Sequence, residues 1–194
     1  MTALYCVFGN PVAHSRSPDI HHAFAAQRDE DLRYEKREAP LQDFAGAVKA
    51  FRNEGGLGAN VTVPFKEQAF DLCDAVTERA GLAGAVNTLW WDGEQLHGDN
   101  TDGAGMVKDI RDNLGWDIQG KRVLVLGAGG AVRGVMGPLL AEAPTLVRIA
   151  NRTEEKAAIL ARGFMDGKNP PVLGSGLDTL TGQFDLVINA ISAG

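Results

Sequence analysis

Short strand-like runs alternate with helical patterns along the first third of the chain. Residues 4–8, 33–37 and 58–62 are predicted as strands, and residues 18–27 and 41–53 have the spacing of helices. A strand–helix–strand rhythm of this kind predicts a largely parallel sheet that is covered by helices on both faces. The pattern therefore indicates an α/β protein.

The alternation continues with a hairpin and then begins again. Trp90 and Trp91, followed by Asp92-Gly93 and the run 94–97, are typical of two antiparallel strands joined by a tight turn. A helix is predicted from Thr101, a strand over 122–126, a helix over 131–141 and a last strand over 185–190. This second rhythm predicts two domains, 1–101 and 102–194, with Asp102 at the edge of the cleft between them.

Two polar strings follow the strand-like runs and carry the first candidate chemistry. GANVTVPFKEQAF at 58–70 contains Lys66, and GDNTDG at 98–103 contains Asp102. A lysine beside a carboxylate in a sheltered cleft can pass a proton to or from a substrate, so the two are candidate catalytic residues. Pro64 either opens a helix, which places Lys66 in its first turn, or marks a kink. The alternative is a solvated lysine and an aspartate that only caps a helix.

Composition and charge remove several classes of partner. The 194 residues have a net charge of -6, with no basic stripe for nucleic acid. No apolar run approaches the roughly 18 residues of a membrane helix, and the short apolar run at 4–8 is interpreted as a first strand and not as an export signal. Cys6 and Cys73 lie far apart without a CxxC motif, which favours a reducing cytoplasm, and the histidines lack metal-ligand spacing.

A glycine-rich turn between a strand and a helix marks the second domain. Gly127, Ala128, Gly129, Gly130 and Ala131 follow the strand at 122–126 and lead into the helix. In this context glycines allow the backbone to approach a pyrophosphate closely, and the helix N-terminus provides unpaired N–H groups. The alternative is an ordinary tight turn. Val132 stands where the third small residue of the dinucleotide fingerprint is expected, so looser packing of helix on strand is predicted there.

The end of the next strand favours NADP over NAD. NAD-binding domains have an acidic residue at this point for the ribose, but this chain has Asn151, Arg152 and Thr153, with Lys156 one helical turn later. The planar guanidinium of Arg152 suits a 2'-phosphate, and Lys156 adds charge. The alternative is a solvated arginine at a strand end.

Four strings, in their order along the chain, resemble the shikimate dehydrogenase family: GNPVAHSRSPDIHHAF at 9–24, GANVTVPFKEQAF at 58–70, GAVNTL at 84–89 and GDNTDG at 98–103. The resemblance extends from Tyr5 to the last residue. It implies a mainly parallel α/β substrate domain (1–101) followed by an incomplete Rossmann-type NADP-binding domain (102–194). It also implies reversible, NADP-dependent oxidation of shikimate to 3-dehydroshikimate, a step of aromatic amino acid biosynthesis.

The resemblance also implies roles for individual residues. Ser15 and Ser17 match the residues that bind the substrate carboxylate, although without the resemblance Ser17-Pro18 reads as a helix cap followed by proline in the first turn. Lys66 matches the catalytic lysine. The remaining matches surround the ring hydroxyls of the substrate: Asn60, Thr62, Asn87 and Asp102.

The chain departs from the family pattern near its end. Ile191 replaces the threonine of NATSxG, and the sequence stops at INAISAG where the family continues for roughly half a domain. The early end leaves open an impaired fragment that only binds ligand. A second alternative is a quinate/shikimate dehydrogenase that uses NAD. Serine at position 17 favours shikimate. A cytoplasmic protein is expected, with a homodimer left open.

Overall fold

A computed structural model describes residues 2–165, 167 and 170–191. The chain divides after Asn100 into two compact units. Each unit has its own sheet and its own hydrophobic core.

The first unit alternates strands and helices and ends in a hairpin. Its elements are β1 (Ala3–Gly9), α1 (Ser17–Ala26), β2 (Leu32–Glu38), α2 (Phe44–Asn53), β3 (Gly56–Val61), α3 (Lys66–Leu72), β4 (Ala75–Val76), α4 (Glu78–Ala83), β5 (Thr88–Asp92) and β6 (Gln95–Asp99).

The sheet of the first unit is mixed, with strand order β2-β1-β3-β5-β6-β4. β1 pairs in parallel with β2 and β3, as the strand–helix rhythm predicts, and β4 pairs in parallel with β6. The direction reverses at β5, which is antiparallel to both β3 and β6. The predicted hairpin is confirmed, with Asp92 opposite Gln95 and Gly93 at a φ of 61° in the turn.

Several boundaries differ from the sequence prediction. The prediction that α2 begins at 41 is wrong because Asp43 ends the preceding loop: its side chain accepts the N–H of Gly46 at 2.9 Å and caps the helix. Ser17 is the first residue of α1, with Arg16 before it, so the interpretation of Ser17 as the cap is also wrong. β4 and α4 were not predicted, since both are very short.

A tight turn sets the start of α3. The N–H of Phe65 donates to the carbonyl of Thr62 at 3.0 Å, and the fully buried Phe65 ring stacks on Phe44 in the core. Lys66 is the first residue of the helix, which confirms its predicted place in the first turn.

The second unit repeats the alternation with a parallel sheet. Its elements are α5 (Asp102–Lys108), a π-helical turn (Asp109–Asn113), β7 (Arg122–Leu126), α6 (Gly130–Ala141), β8 (Leu146–Asn151), α7 (Glu154–Arg162), β9 (Val172–Gly176) and β10 (Leu186–Asn189).

All three strand pairs of this second sheet are parallel, in the order β10-β7-β8-β9. Residues on one face of β7 and β8, Val123, Val125, Val147 and Ile149, are fully buried. They pack in one core with side chains of α6 and α7. The predicted strand over 185–190 is observed as the slightly shorter β10. The fold is therefore the predicted α/β type, with a parallel second sheet of Rossmann type.

Over the described residues, 2–165, 167 and 170–191, the structure contains no helix that combines the length and the apolar character required to cross a bilayer.

Close helix packing in the second unit depends on a glycine at position 103. A Cβ built on Gly103 lies 2.4 Å from the carbonyl oxygen of Gly134 and 2.8 Å from Cα of Val135, both in α6. Gly105, two residues later in the same helix, has no heavy atom within 4 Å of such a Cβ. Comparing an alanine substitution at each of the two glycines therefore distinguishes the effect of packing from the effect of helix propensity.

We expect Gly103→Ala to lower the free energy of unfolding by about 1–3 kcal/mol, because backbone atoms must move apart to admit the methyl group. Gly105→Ala is the matched control and is expected to raise it by about 0.5–1 kcal/mol, since alanine has the better helix propensity. Urea unfolding of both variants measures the difference. Equal effects of the two substitutions would contradict this packing.

Candidate functional site

Polar side chains gather in the first unit where β3 and β5 lie side by side. The hydroxyl of Tyr34 donates to Oδ1 of Asn60 at 2.5 Å. Nδ2 of Asn60 donates to the Asn87 carbonyl at 3.3 Å and to Oγ1 of Thr88 at 3.4 Å, and the Thr88 hydroxyl donates to Oδ1 of Asn87 at 2.8 Å. Two of the predicted substrate residues, Asn60 and Asn87, thus belong to one network.

Backbone hydrogen bonds around Asn87 connect three elements at this point. Its N–H donates to the carbonyl of Asp99 at 2.9 Å, and its own carbonyl accepts the N–H of Val61 at 2.8 Å. The N–H of Val86 donates to the carbonyl of Lys66 at 2.8 Å. The end of β3, the start of α3 and the end of β6 are therefore fixed together, which brings Lys66 and Asn87 to one part of the unit. Asn87 is itself 8% exposed.

Thr62 directly follows β3 and is also held by the sheet. Its N–H donates to the carbonyl of Phe8 at 2.8 Å, and its Cγ2 lies 2.6 Å from a Cβ built on Gly9. A glycine at position 9 is needed for this approach. Asn60, Thr62 and Lys66 lie within seven residues that pass from the end of β3 into α3.

Ser15 and Ser17 lie together at the start of α1. The Ser15 hydroxyl donates to the Ser17 hydroxyl at 3.1 Å, and the N–H of Ser17 donates to Oγ of Ser15 at 3.2 Å. The loop before them is closed by the N–H of Ser15, which donates to the carbonyl of Val12 at 3.0 Å. Two hydroxyls held side by side suit the two oxygens of a carboxylate.

Tyr34 and Thr88 were missed by the sequence prediction. Tyr34 is 6% exposed although it lies in β2, a strand otherwise rich in charged residues. Burial raises the pKa of its hydroxyl above the ordinary value, so the group remains protonated and can donate. The available signal for an inward-facing side chain was the aromatic ring of Tyr34 within a strand of mostly charged residues.

Asp99 ends β6 and carries a dense set of hydrogen bonds. Its carboxylate accepts Oγ1 of Thr77 at 2.6 Å, Nε of Arg79 at 2.7 Å and the N–H of Asn100 at 2.7 Å, and Arg79 makes a second bond through Nη2. The Arg79 guanidinium holds the pKa of this carboxyl down at about 2. The carboxylate therefore fixes the backbone at the end of the hairpin.

The predicted cofactor residues of the second unit lie around one cavity of about 790 Å³ at the carboxyl ends of the strands. Carboxyl ends of neighbouring parallel strands meet at one edge, which is where α/β domains bind ligands. Seven of the predicted residues line it, with three further residues, Leu177, Ala190 and Ile191. The predicted ones are Gly127, Ala128, Gly129, Asn151, Arg152, Thr153 and Lys156.

The lining of the cavity suits a phosphate-bearing dinucleotide. Gly127 has a φ of 112°, and a Cβ there would lie 3.0 Å from the carbonyl oxygen of Ala190. Among the residues that the structure describes, none has a heavy atom within 4 Å of a Cβ at Gly129, which leaves room for a ligand to approach the backbone there. Of the described residues that line the cavity, two are cations, Arg152 and Lys156, and none is acidic. Gly130 and Ala131 begin α6 directly beside this turn.

The two departures from the family pattern have clear positions. Val132 is fully buried in the core of the second unit, where its Cγ2 lies 3.4 Å from a Cβ built on Gly127. The larger side chain is therefore used as core packing. Ile191 lines the cavity and is 50% exposed, and its N–H donates to Oδ1 of Asn189 at 3.1 Å. The residues after it in the INAISAG ending, 192–194, lie outside the described residues.

Asp102 is the first residue of α5, in the second unit, with Thr101 before it as the N-cap residue. The alternative in which Asp102 itself is the cap is wrong. Lys66 belongs to the first unit. The first unit thus carries one group of candidate residues, and the second carries a cavity lined by others.

Neither cysteine has the environment of a reactive thiol. Cys6 is buried, which raises its pKa, and burial raises the pKa of Cys73 to about 11. In the part of the chain that the structure describes, no group of three histidine, cysteine or acidic side chains is placed to hold a metal ion.

The fold and the cavity together place this protein in the class of α/β proteins that have a Rossmann-type nucleotide-binding domain. Residues 7–89 match the family described as shikimate dehydrogenase substrate binding domain, and residues 108–194 match shikimate / quinate 5-dehydrogenase. The shikimate dehydrogenase (NADP(+)) of Alcanivorax borkumensis is 78% identical over 193 residues, which is 100% of this chain and 69% of that protein. The chain therefore belongs to the shikimate dehydrogenase family.

Solved structures agree with this assignment. An Ael1 enzyme from Pseudomonas putida superposes with a TM-score of 0.89 at 43% identity, covering 99% of this chain and 70% of that one. Shikimate 5-dehydrogenase from Thermus thermophilus, in complex with NADP(H) and shikimate, has a TM-score of 0.85 at 32% identity, covering 98% and 69%. The chain spans about 70% of the length of these relatives.

The low pKa of Asp99 makes its contribution to stability pH-dependent. Because the folded-state pKa is below the ordinary value of 3.8, the stabilisation is present above that value and is lost as the pH falls toward about 2. We expect Asp99→Asn to lower the free energy of unfolding by about 2 kcal/mol at neutral pH and by progressively less below about pH 4. Urea unfolding between pH 7 and about pH 3 measures this.

Asp92→Asn is the matched control, since Asp92 is an exposed aspartate at the other end of the same hairpin. It should change the free energy of unfolding by less than about 0.5 kcal/mol at each pH. An Asp99→Asn effect that does not change with pH would show that the Arg79–Asp99 pair is not responsible.

Proposed function

We propose that this chain carries out the reversible, NADP-dependent oxidation of shikimate to 3-dehydroshikimate in the pathway of aromatic amino acid biosynthesis. The observation that carries the proposal is the 78% identity, over the whole chain, to a shikimate dehydrogenase (NADP(+)). The related Thermus thermophilus structure, which contains both NADP(H) and shikimate, supports the same pair of ligands. In this proposal the first unit binds shikimate and the second binds NADP.

The polar residues of the first unit suit a polyhydroxylated acid. Ser15 and Ser17 lie side by side and would hold the carboxylate of shikimate. The side chains of Asn60, Thr62 and Asn87 would hydrogen bond to its ring hydroxyls, because amides and hydroxyls can both donate and accept. The network around Asn60 and Asn87 fixes these groups before the substrate arrives, which lowers the entropic cost of binding.

Lys66 and Asp102 are the proposed catalytic residues. When shikimate is oxidised, the reacting hydroxyl loses its proton as the carbinol carbon loses a hydride. The amino group of Lys66 would take that proton, and Asp102 would bind the reacting region of the substrate. In the reverse direction Lys66 would return the proton to the carbonyl oxygen. Bound NADP supplies the hydride acceptor of the oxidation.

The charge of the second cavity supports NADP as the cofactor. Arg152 presents several N–H donors in one plane, and Lys156 adds a second positive charge at the same wall. Both would bind the 2'-phosphate, which NAD lacks. The glycine turn at 127–130 and Ala131 would receive the pyrophosphate at the start of α6.

Location and assembly belong to the same proposal. A cytoplasmic location is supported by two unpaired cysteines, Cys6 and Cys73. The homodimer left open by the sequence is tested by the sedimentation velocity of the purified chain.

The direct test of the function is formation of reduced cofactor by the purified chain. Shikimate and quinate are each supplied with NADP and with NAD. The proposal predicts turnover with shikimate and NADP that exceeds the other three combinations. Binding of shikimate and NADP without turnover would instead show a ligand-binding fragment, and preference for NAD would show the quinate/shikimate alternative.

We expect Lys66→Ala to lower the turnover number by about 10²–10⁴-fold, because general acid–base transfer contributes a factor of this size. The Michaelis constant for shikimate should change much less. Lys49→Ala, at an exposed position of α2, removes the same charge and serves as the control. Equal losses of turnover and of substrate affinity would show that Lys66 only binds.

We expect Arg152→Ala to raise the dissociation constant for NADP by roughly 10–100-fold, because hydrogen bonds between charged groups are lost. The dissociation constant for NAD should hardly change, since NAD has no 2'-phosphate. Arg162→Ala, an exposed arginine at the end of α7, is the control for the loss of one charge. Fluorescence titration with both cofactors measures the constants, and an equal loss for both would contradict the role of Arg152.

A further inference from the structure

The side chain of Tyr34 reaches from β2 across β1 to β3. In the sheet, β1 lies between these two strands, and Tyr34 pairs in register with Tyr5 of β1. Its hydroxyl nevertheless donates to Oδ1 of Asn60 in β3, at 2.5 Å. At 6% exposure the phenol is largely removed from water, so this bond has little competition from solvent.

Both histidines of α1 contact Tyr34, His21 at the ring and His22 at the backbone. The imidazole of His21 stacks on the phenol ring, with centroids 4.3 Å apart and an interplanar angle of 7°. Nε2 of His22 accepts the backbone N–H of Tyr34 at 3.3 Å. Val7 and Val12 pack against the same side chain in a small core. The hydroxyl therefore has a fixed position.

The Tyr34 hydroxyl and the Asn87 carbonyl together hold the Asn60 amide. An amide has an acceptor oxygen on one side and a donor NH₂ on the other, so a rotation by 180° exchanges them. The Asn87 carbonyl can only accept, so it fixes the NH₂ side, although its contact with Nδ2 is long at 3.3 Å. The 2.5 Å bond from Tyr34 then holds Oδ1, and it is the shortest hydrogen bond described for this side chain.

We infer that Tyr34 is a positioning residue for substrate binding: through its hydroxyl it holds the side chain of Asn60 in the place from which that amide binds the substrate. This inference rests on the proposed function, since it takes shikimate as the ligand of the first unit. Tyr34 itself contacts Asn60 and acts through it.

Tyr34→Phe is the variant that tests the inference. Phenylalanine keeps the ring, its stacking on His21 and its burial, and removes only the hydroxyl. We expect the dissociation constant for shikimate to rise about tenfold, because Oδ1 of the half-buried Asn60 loses the partner that holds it. Tyr5→Phe is the matched control, since Tyr5 lies opposite Tyr34 and packs in the same small core. Calorimetric titration should show that Tyr5→Phe binds shikimate with the same affinity as the wild type.

A second readout does not require ligand. The side-chain amide resonances of Asn60, observed by NMR in the free protein, should shift in Tyr34→Phe and stay unchanged in Tyr5→Phe. In an Asn60→Ala background the loss of the Tyr34 hydroxyl should weaken shikimate binding by less than it does in the wild type. A purely structural role would lower thermal stability without this dependence on Asn60.

The outcomes separate the inference from the proposed function. If the wild-type chain does not bind shikimate, the proposed function fails and so does the role in shikimate binding, while the Asn60 resonances still report whether Tyr34 holds the amide. If the wild type binds and Tyr34→Phe binds with the same affinity, the inference is wrong and the proposed function stands. Unchanged Asn60 resonances in Tyr34→Phe would also overturn it.

Discussion

Parallel pairing of strands is the constraint on which both units depend. Because parallel strands run in one direction, the segments that follow them emerge at a single edge of the sheet. In the first unit this places Thr62 and Lys66 just beyond β3. In the second it places the turn after β7 and the residues after β8 around one cavity. Residues far apart in sequence are thereby brought to the same edge of a sheet.

Buried hydrogen bonds fix the positions of the segments that the sheet brings together. The backbone bonds of Val86 and Asn87 fix the end of β3, the start of α3 and the end of β6 relative to one another. Asp99, held by Arg79 and Thr77, then fixes the end of the hairpin. Buried polar groups are costly unless they are paired, and here the paired groups are those that suit a polar substrate. Stability and pre-organisation of the substrate residues therefore have the same source.

The features that depend on a local pattern of residues could be predicted from the sequence. The strand–helix rhythm predicted the α/β class, Asp92-Gly93 predicted the hairpin, and the glycine turn with its flanking strand and helix pointed to residues that now line one cavity. The sequence did not predict the features that depend on particular side-chain contacts in the folded chain. The bond from Tyr34 to Asn60 crosses a strand and depends on register, and the Asp43 cap moved the start of α2. The hydroxyl of Thr88 became visible only with the pairing of β3 and β5.

The central claim is that each unit binds one ligand: the first unit binds shikimate and the second binds NADP. The most direct measurement is a pair of NMR titrations of the isotope-labelled chain, one with shikimate alone and one with NADP alone. The account predicts that shikimate shifts backbone amide resonances around Ser17, Asn60 and Asn87, and that NADP shifts those at 127–130 and 151–156. Shikimate-induced shifts confined to the second unit, or no shifts with either ligand, would contradict it.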